Sequence, residues 1–462
     1  MAVSRHTSGR RPVWFALSAL IGSVLAIGTP VGVGTAHAAL GPGGEYHPVT
    51  PSRVLDTRVA SSSPSGIRGF GESNAFDVQI AGATPLGGGA PVVPSANVLA
   101  VVANLTVSAP SRDGYLTAYP KGSATPNASN VNFRTGENVP NLAILRPGAD
   151  GKVTFRFESY AGLPAQADLI VDIVGWFSTS SAASRGARLV SLAPGRILDS
   201  RTATARNGAL GAGQSFRLQI RGANAVGPDR PAYVPDQPSV SAVVLNVTAT
   251  APTSDTFITV QPEDFAGFPS TSSVNVSAGQ TKANLVIVPV GADGGVRFFN
   301  ERGSVHLIAD VVGYFKSGVN DETRAGRIVP LDSPFRAADT RVPGLGGPGK
   351  LGSGQAEDWD FNPFVQGVKV GGVWIGEQDA LLANLTAADL SFPYPVSRND
   401  TFLTLYPAGT SLPNASNVNL LPNRAVPNLA VLRLSDANKL TVYNDNGFVN
   451  YIIDVAAVVL QD

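Results

Sequence analysis

Long runs of β-branched residues, separated by glycine, proline and short polar clusters, form the basic pattern of the chain. The run at 97–107 (NVLAVVANLTV) lies between Pro94 and Pro110 and is almost wholly apolar, which is typical of a buried strand. Asp150-Gly151 and Asp293-Gly294 fall between apolar runs and predict hairpin turns, because glycine tolerates positive φ. Shorter strand candidates follow the long run at Tyr115–Tyr119, Asn130–Phe133, Leu142–Arg146, Val153–Glu158 and Leu169–Phe177. No long window shows helical periodicity with caps, so the pattern predicts an all-β protein.

One pattern occurs three times along the chain. The octapeptide PSRVLDTR at 51–58 returns as PGRILDSR at 194–201 and as PFRAADTR at 334–341. Each copy continues with an asparagine in its long strand, an SNVN-like turn and an Asn-Leu pair. The first two copies end in DIVGWF and DVVGYF, and the third ends in DVAAVV. A period of about 140 residues is the size of a complete domain rather than of a solenoid repeat.

Short segments without apolar pattern separate the copies. Residues 178–186 (STSSAASRG) and 316–326 (KSGVNDETRAG) are rich in serine, glycine and charge, and they read as linkers. We therefore predict domains at 39–180, 181–320 and 321–462. Seven or eight strands in each copy, with turn residues throughout, indicate three tandem antiparallel β-sandwich domains, with the jelly roll as one form of that class.

The first 38 residues have the features of a secretory signal peptide. Arg5, Arg10 and Arg11 form a basic start, an apolar stretch follows at 13–27, and Ala36-His37-Ala38 offers a cleavage pattern. Arg10-Arg11 is also a loose match to a twin-arginine signal, so the general and the twin-arginine export routes both stay open. Because no later apolar run is long enough to span a membrane, we expect an exported protein with no membrane span after cleavage.

Charge and residue counts narrow the chemistry. Lys+Arg and Asp+Glu are 34 each and only 15% of residues are charged, which argues against a nucleic-acid partner. Cysteine is absent, which excludes disulfides and thiolate metal sites. Beyond residue 38 the histidines are His47 and His306, in different copies, so neither a Ser-His-Asp triad nor a multi-histidine zinc site can be present in every copy. The calcium-loop pattern DxDxDG is also absent, so we expect no metal and no cofactor.

The PxRxLDTR opening, the VxNxT strand, the SNVN and Asn-Leu turns and the DVVGYF ending together resemble a module of exported actinobacterial proteins. That module occurs alone, in tandem, or appended to cell-wall hydrolases and other secreted enzymes. The resemblance covers residues 46–462 and implies a secreted surface protein, but it supplies no catalytic residues. The third copy departs from the pattern, since Leu55 and Leu198 become Ala338 and the aromatic ending is lost.

The Arg-x-x-Asp-[Thr/Ser]-Arg motif allows two interpretations. Its guanidinium groups could bind a carboxylate or phosphate on a surface polymer. Alternatively, the motif forms internal ion pairs, with Asp172, Asp310 or Asp454 of the last strand as further partners, because charged groups in apolar strands pair when buried. We favour the ion pairs. The residues of the motif are Arg53, Asp56 and Arg58, then Arg196, Asp199 and Arg201, then Arg336, Asp339 and Arg341.

Asparagines cluster in the turns of the first and third copies, close to a Tyr-Pro pair. Such residues satisfy backbone groups at turns and strand ends. Amides beside aromatic rings also suit an uncharged sugar, so this set is our candidate ligand site. It consists of Tyr119, Asn127, Asn130 and Asn132 in the first copy and Tyr406, Asn414, Asn417 and Asn419 in the third.

These features predict a non-catalytic, exported cell-surface protein that binds glycan or mediates attachment. The partner would be a glycan of the cell envelope or of the environment. The alternative is a structural component of the envelope or of an extracellular assembly, with protein partners. A hydrolase would need paired carboxylates, and the acids common to all copies are better explained by the arginine motif.

Overall fold

The β-branched runs form strands in a computed structural model of the chain. The structure describes residues 43–179, 182, 184–225, 233–267, 271–319, 323–343, 345, 349–367, 369–370, 373–374, 377–393 and 398–461. The predicted signal peptide at 1–38 lies outside the described residues. We refer to residues 39–180, 181–320 and 321–462 as repeats 1, 2 and 3. Within the described ranges, no helix has the length and apolar character needed to cross a bilayer.

Repeat 1 contains nine strands and a 3₁₀ turn at Glu72–Asn74. The long predicted strand begins at Val98 because Asn97 takes a left-handed φ of 60°. The strands are β1 (Tyr46–Asp56), β2 (Arg68–Gly69), β3 (Phe76–Gln79), β4 (Val98–Ser108), β5 (Gly114–Pro120), β6 (Val131–Phe133), β7 (Val139–Leu145), β8 (Lys152–Ser159) and β9 (Gln166–Ser178).

Repeat 2 has the same order of elements, without counterparts of β2 and of the 3₁₀ turn among its described residues. Its strands are β10 (Arg188–Asp199), β11 (Ser215–Gln219), β12 (Val240–Thr250), β13 (Thr256–Pro262), β14 (Val274–Val276), β15 (Lys282–Pro289), β16 (Gly295–Asn300) and β17 (His306–Lys316).

Repeat 3 adds a short helix and a two-stranded hairpin to the same order. Its elements are β18 (Ile328–Asp339), β19 (Ala356–Asp360), α1 (Asn362–Gly367), β20 (Lys369–Val370), β21 (Val373–Trp374), β22 (Gln378–Ser391), β23 (Thr401–Pro407), β24 (Val418–Leu420), β25 (Ala425–Arg433), β26 (Lys439–Asn444) and β27 (Phe448–Leu460).

Each repeat supplies an inner and an outer antiparallel sheet. The inner sheets have the orders β1-β9-β4-β7, β10-β17-β12-β15 and β18-β27-β22-β25. The outer sheets have the orders β3-β8-β5-β6, β11-β16-β13-β14 and β19-β26-β23-β24. Apolar side chains of both sheets meet in one hydrophobic core per repeat, with Leu55, Leu105 and Phe155 in the first of them.

A further core joins the three inner sheets. It contains Tyr46, Phe177, Phe315, Ile328 and Val459, so all three repeats contribute. The inner strands are consequently buried on both faces, and residues 100–107 of β4 are buried without interruption. A strand of a free-standing sandwich would instead alternate between buried and exposed side chains.

The shared core corrects the predicted architecture. Residues 39–462 form one compact unit, and the six small sheets are arranged as a six-blade β-propeller. The all-β class was predicted correctly, but the prediction of three tandem antiparallel β-sandwich or jelly-roll domains is wrong. The error arose because a long apolar strand was taken as the inner face of one sandwich, whereas its second face is covered by the neighbouring repeats. The boundaries at 180/181 and 320/321 stay a prediction.

Candidate functional site

The arginine motif lies at the end of the first inner strand of each repeat, opposite the last strand. In repeat 1, Arg53 faces Asp172 across the β1–β9 ladder, next to an irregularity between Arg53 and Leu55. The Arg53 guanidinium donates from Nε and Nη2 to the two oxygens of Asp172, at 2.8 and 3.1 Å. It also donates from Nη1 to Asp56, at 3.2 Å. Arg58 donates to both oxygens of the same Asp56.

Repeats 2 and 3 contain the same ion-pair network. Arg196 pairs with Asp310 and Asp199, and Arg336 pairs with Asp454 and Asp339. Arg201 and Arg341 bind the latter aspartate of each set, as Arg58 does. The exposed fraction of the first arginine side chain differs, at 25% for Arg53, 10% for Arg196 and 19% for Arg336. The side chains of Arg53 and Arg336 are therefore partly exposed although their guanidinium groups are paired.

The two aspartates of each network have opposite electrostatic environments. Hydrogen bonds from Arg341 lower the pKa of Asp339, despite the opposing effect of burial. Burial raises the pKa of Asp454, and the hydrogen bonds and charge of Arg336 oppose that rise. Asp339 is thus a stable anion that holds two guanidinium groups in fixed orientations.

Six buried asparagines form a hydrogen-bonded ring around the centre of the molecule. One comes from the middle of each long inner strand (Asn104, Asn246, Asn384), and the other comes from each Asn-Leu pair (Asn141, Asn284, Asn428). Nδ2 of the second kind donates to Oδ1 of the first kind in a neighbouring repeat. These bonds are Asn284 to Asn104 at 3.0 Å, Asn428 to Asn246 at 2.7 Å and Asn141 to Asn384 at 2.9 Å.

Backbone groups complete the ring. Leu142 N donates to Asn284 Oδ1, Leu285 N to Asn428 Oδ1 and Leu429 N to Asn141 Oδ1. The long-strand asparagines in turn donate to the carbonyls of Ser272, Ser416 and Ser129 in the next repeat. Each class of bond joins repeats 1 and 2, repeats 2 and 3, and repeats 3 and 1, so these asparagines hold the repeats together, a role that the sequence did not indicate.

An open cleft of about 820 Å³ lies between repeats 1 and 3. On the repeat 1 side, the ring centroids of Tyr115 and Tyr160 lie 5.7 Å apart. The two residues are close because Tyr115 lies near the start of β5 and Tyr160 comes directly after the end of β8, which pairs with β5. Asn132 Nδ2 donates to the Tyr160 hydroxyl at 2.9 Å, and Ser129 Oγ donates to Asn132 Oδ1 at 2.6 Å. This wall therefore combines two aromatic rings with a fixed amide.

The repeat 3 side of the cleft is basic. Arg336 and Arg341 of the motif line it, together with Lys350. Lys350 Nζ donates to the Asp389 carbonyl oxygen and to Ser391 Oγ, both of which are neutral acceptors. Aromatic and amide groups thus face cationic groups across one cavity.

The corresponding position between repeats 2 and 3 is closed. Arg196 Nη1 donates to Asn414 Oδ1 at 3.2 Å, and Ser416 N donates to Asp310 at 3.3 Å. Asn414 is the second residue of a PNASN pentapeptide that repeat 1 also contains, with Asn127 in its place. Within the described residues, Arg336 bonds to Asp339 and Asp454 and Asn127 does not reach it.

The predicted ligand residues are dispersed. Asn127 and Asn132 line the open cleft. Asn130 and Asn417 accept from the backbone N–H groups of Ala118 and Leu405, both at 2.7 Å. These two asparagines therefore satisfy backbone groups, which is the other role considered for them above. Of the others, Asn414 binds Arg196, Asn419 and Tyr119 line separate cavities of about 40 and 30 Å³, and Tyr406 is buried.

The sequence did not indicate Tyr115, Tyr160 or Lys350. Each lies near a strand end, and only the pairing of β5 with β8 and the approach of repeats 1 and 3 bring them together. An exposed tyrosine after a strand is the one local signal that Tyr160 offered.

The two histidines of the described residues contact an aromatic ring and a buried serine. His47 stacks on Trp176 with ring centroids 4.1 Å apart, and His306 Nδ1 lies 3.0 Å from Oγ of the buried Ser200. Ser200 Oγ also accepts from Leu307 N, which fixes it inside the strand pair. Within the described part of the chain, no three His, Asp or Glu side chains group as metal ligands would.

Comparison with known proteins gives only remote likenesses. No family model and no curated protein matches the chain. Among solved structures, the N-terminal CBM22-1–CBM22-2 tandem domain of Xyn10C from Paenibacillus barcinonensis is 14% identical, over 58% of this chain and 98% of that one, with a TM-score of 0.18. A triple jelly roll protein of an archaeal virus is 9% identical over 90% of both chains, with a TM-score of 0.15. A protein of Sulfolobus turreted icosahedral virus is 11% identical over 90% of this chain and 100% of that one, with a TM-score of 0.16. These scores establish no common fold.

Proposed function

We propose that the protein is a non-catalytic, exported surface protein that binds glycan in the cleft between repeats 1 and 3. The observation that carries this proposal is the pairing of Tyr115 and Tyr160 with the amides of Asn127 and Asn132 in one cavity of about 820 Å³. A cavity of that size can accommodate a small oligosaccharide. The resemblance of the sequence motifs to exported actinobacterial modules supports the surface location.

The polar groups of the cleft suit a polyhydroxylated ligand. Tyr160 is 56% exposed, so its ring offers an apolar face to the solvent-filled cavity. Asn132 is fixed by its bonds to Ser129 and Tyr160 and therefore holds the aromatic wall in a preorganised position. A sugar ring can stack on such a face while its hydroxyls exchange bonds with neighbouring amides.

Catalysis is not part of this proposal, because the carboxyl groups near the cleft have other roles. A raised pKa is a property of catalytic acids, and Asp454 has one. However, Asp454 is buried and both of its oxygens accept from Arg336, so a substrate cannot reach it. Glu158 of the cleft wall is bound to Arg156.

The test is a glycan array followed by titration calorimetry with the full protein. We expect binding by the wild type, and about a tenfold loss for Tyr160→Ala, since a stacked ring contributes about 0.5–1.5 kcal/mol beyond the area that it buries. Tyr233→Ala is the matched control, because Tyr233 is also exposed but lies in repeat 2, outside the cleft. Absence of binding, or an equal loss in both variants, would refute the cleft as a glycan site. Release of reducing sugar by the wild type would refute the non-catalytic assignment.

A structural role in the cell envelope or in an extracellular assembly is the second candidate. The observation that favours it is the amount of hydrogen bonding between repeats, which shows that this module can pack against copies of itself. Light scattering over a wide range of protein concentration tests the idea. Growth of the particle mass with concentration would support assembly, and a constant monomer mass would count against it.

A further inference from the structure

We infer that the cleft between repeats 1 and 3 selects acidic glycans, whose carboxylate or phosphate group binds at the repeat 3 wall. This inference rests on the proposed function and specifies its ligand class. The observation behind it is that Arg336, Arg341 and Lys350 lie on one wall of the cavity, facing the tyrosines of repeat 1.

Among the described residues, the hydrogen-bond partners of the Lys350 ammonium group include no carboxylate. Its ammonium group donates to the Asp389 carbonyl at 2.5 Å and to Ser391 Oγ at 2.9 Å. These neutral acceptors position the ammonium without cancelling its charge. The Asp389 carboxylate itself accepts from Asn450 Nδ2 at 3.1 Å. An oxyanion in the cleft would therefore find a positioned cation.

Arg336 and Arg341 supply planar donors beside that cation. The buried Asp339 carboxylate accepts hydrogen bonds from both guanidinium groups, and Asp454 accepts further bonds from Arg336. These ion pairs fix the planes of the guanidinium groups but leave some of their N–H groups unused. A fixed guanidinium plane favours bidentate binding of a carboxylate or phosphate.

The acids of the cleft wall do not compete strongly for this role. Asp113 accepts from Thr135 N at 2.9 Å and pairs with Arg134, and Glu158 pairs with Arg156. Both belong to repeat 1, on the wall opposite Lys350. The third acid of the lining, Asp389, lies on the repeat 3 wall, where its carboxylate accepts from Asn450 and attracts Arg341. Because buried carboxylates balance the arginines, the attraction of the repeat 3 wall acts at contact distance rather than through a long-range field.

The comparison with the closed position between repeats 2 and 3 shows what differs at the open boundary. There, Asn414 occupies an N–H group of Arg196 and removes it from solvent. At the open boundary, Arg336 is 19% exposed and lines the cavity. The ligand oxyanion would take the place that an asparagine fills at the other boundary.

The experiment compares oligogalacturonate with its fully methyl-esterified form, and adds poly(glycerol phosphate) as the phosphate arm. We expect the wild type to bind at least one acidic polymer about tenfold more tightly than the ester, as charge-assisted hydrogen bonds allow. Preference for the carboxylate polymer or for the phosphate polymer identifies which oxyanion the site takes.

Two variants localise the preference. Lys350→Gln removes the cleft charge, and we expect it to weaken binding of the acidic polymer about tenfold and binding of the ester much less. Lys152→Gln removes the same charge on β8, outside the cleft, and should leave both affinities unchanged. Thermal unfolding of each variant verifies that it is folded.

The outcomes separate this inference from the proposed function. Equal binding of acidic and esterified polymers would overturn the acidic preference and leave glycan binding in place. An equal effect of the two lysine variants would also overturn it. If the protein bound none of these polymers and no glycan of the array, both proposals would be wrong.

Discussion

At the scale of single residues, one ion-pair network has different surroundings in three repeats. Arg196, Arg53 and Arg336 each bind two aspartates, yet their side chains are 10%, 25% and 19% exposed. Asn414 covers Arg196, and the open cleft leaves Arg336 accessible. The free energy of each pair should follow this exposure, because the penalty for an unpaired charge falls when water can reach it.

Substitution of the motif arginines tests this dependence. Arg196→Ala leaves Asp310 buried without its partner, and we expect the free energy of unfolding to fall by about 3–5 kcal/mol. Arg53→Ala should cost less, on the order of 1–3 kcal/mol, because water can solvate the remaining carboxylates. Urea denaturation of both variants measures the difference. A larger loss for Arg53→Ala than for Arg196→Ala would contradict this explanation.

At the scale of elements, the sequence pattern located the strands well. The candidate at 97–107 corresponds to β4 (Val98–Ser108), and the candidate Leu169–Phe177 lies within β9 (Gln166–Ser178). Local apolar pattern and turn residues are sufficient for this result. The candidate site was less accessible to sequence reasoning: the Asn284–Asn104 bond joins residues 180 positions apart. Likewise, Tyr160 and Lys350 face one cavity only after two repeats have packed together.

The glycine of the final inner strand illustrates how one strand limits its neighbour. A Cβ on Gly175 would lie 2.3 Å from the buried ring of Tyr46 on the paired strand β1. Tyr46 stacks in turn on Phe315 of repeat 2, with ring centroids 4.2 Å apart, so its ring cannot move aside. Repeat 3 has Ile328 and Ala457 at these two positions. The loss of glycine in the third copy thus accompanies a smaller residue on the first strand.

This relation predicts a rescue between two substitutions. Gly175→Ala alone should reduce the free energy of unfolding by about 1–3 kcal/mol through overpacking. The double variant Tyr46→Ile with Gly175→Ala reproduces the pair found in repeat 3, and it should be more stable than the sum of the single effects implies. Denaturant unfolding of the four proteins in the cycle gives the coupling free energy. A coupling of zero would show that the ring of Tyr46 is not what excludes a side chain at 175.

At the scale of the whole molecule, polar contacts as well as apolar ones join the repeats. Glu45 of repeat 1 accepts from Arg188 of repeat 2 at 3.0 Å and from Arg327 of repeat 3 at 3.2 Å, and all three side chains are buried. Backbone bridges join Gly44 to Ile328 and Tyr46 to Ala187. With the asparagine ring and the shared core, these contacts give the repeats a common centre, so they should not unfold independently.

Calorimetry can test this cooperativity. We expect the wild type to unfold in a single transition, because opening one repeat would expose the core shared with the other two.

Asn284→Ala deprives Leu142 N and Asn104 Oδ1 of their buried partner, which should cost about 1–3 kcal/mol for each group. Since these groups belong to repeat 1 while Asn284 belongs to repeat 2, the whole transition should move to lower temperature and stay single. Asn207→Ala changes an exposed asparagine of repeat 2 and should leave it in place. A wild type with several transitions, or a variant that shifts only one of them, would mean that the repeats fold separately and that the ring does not couple them.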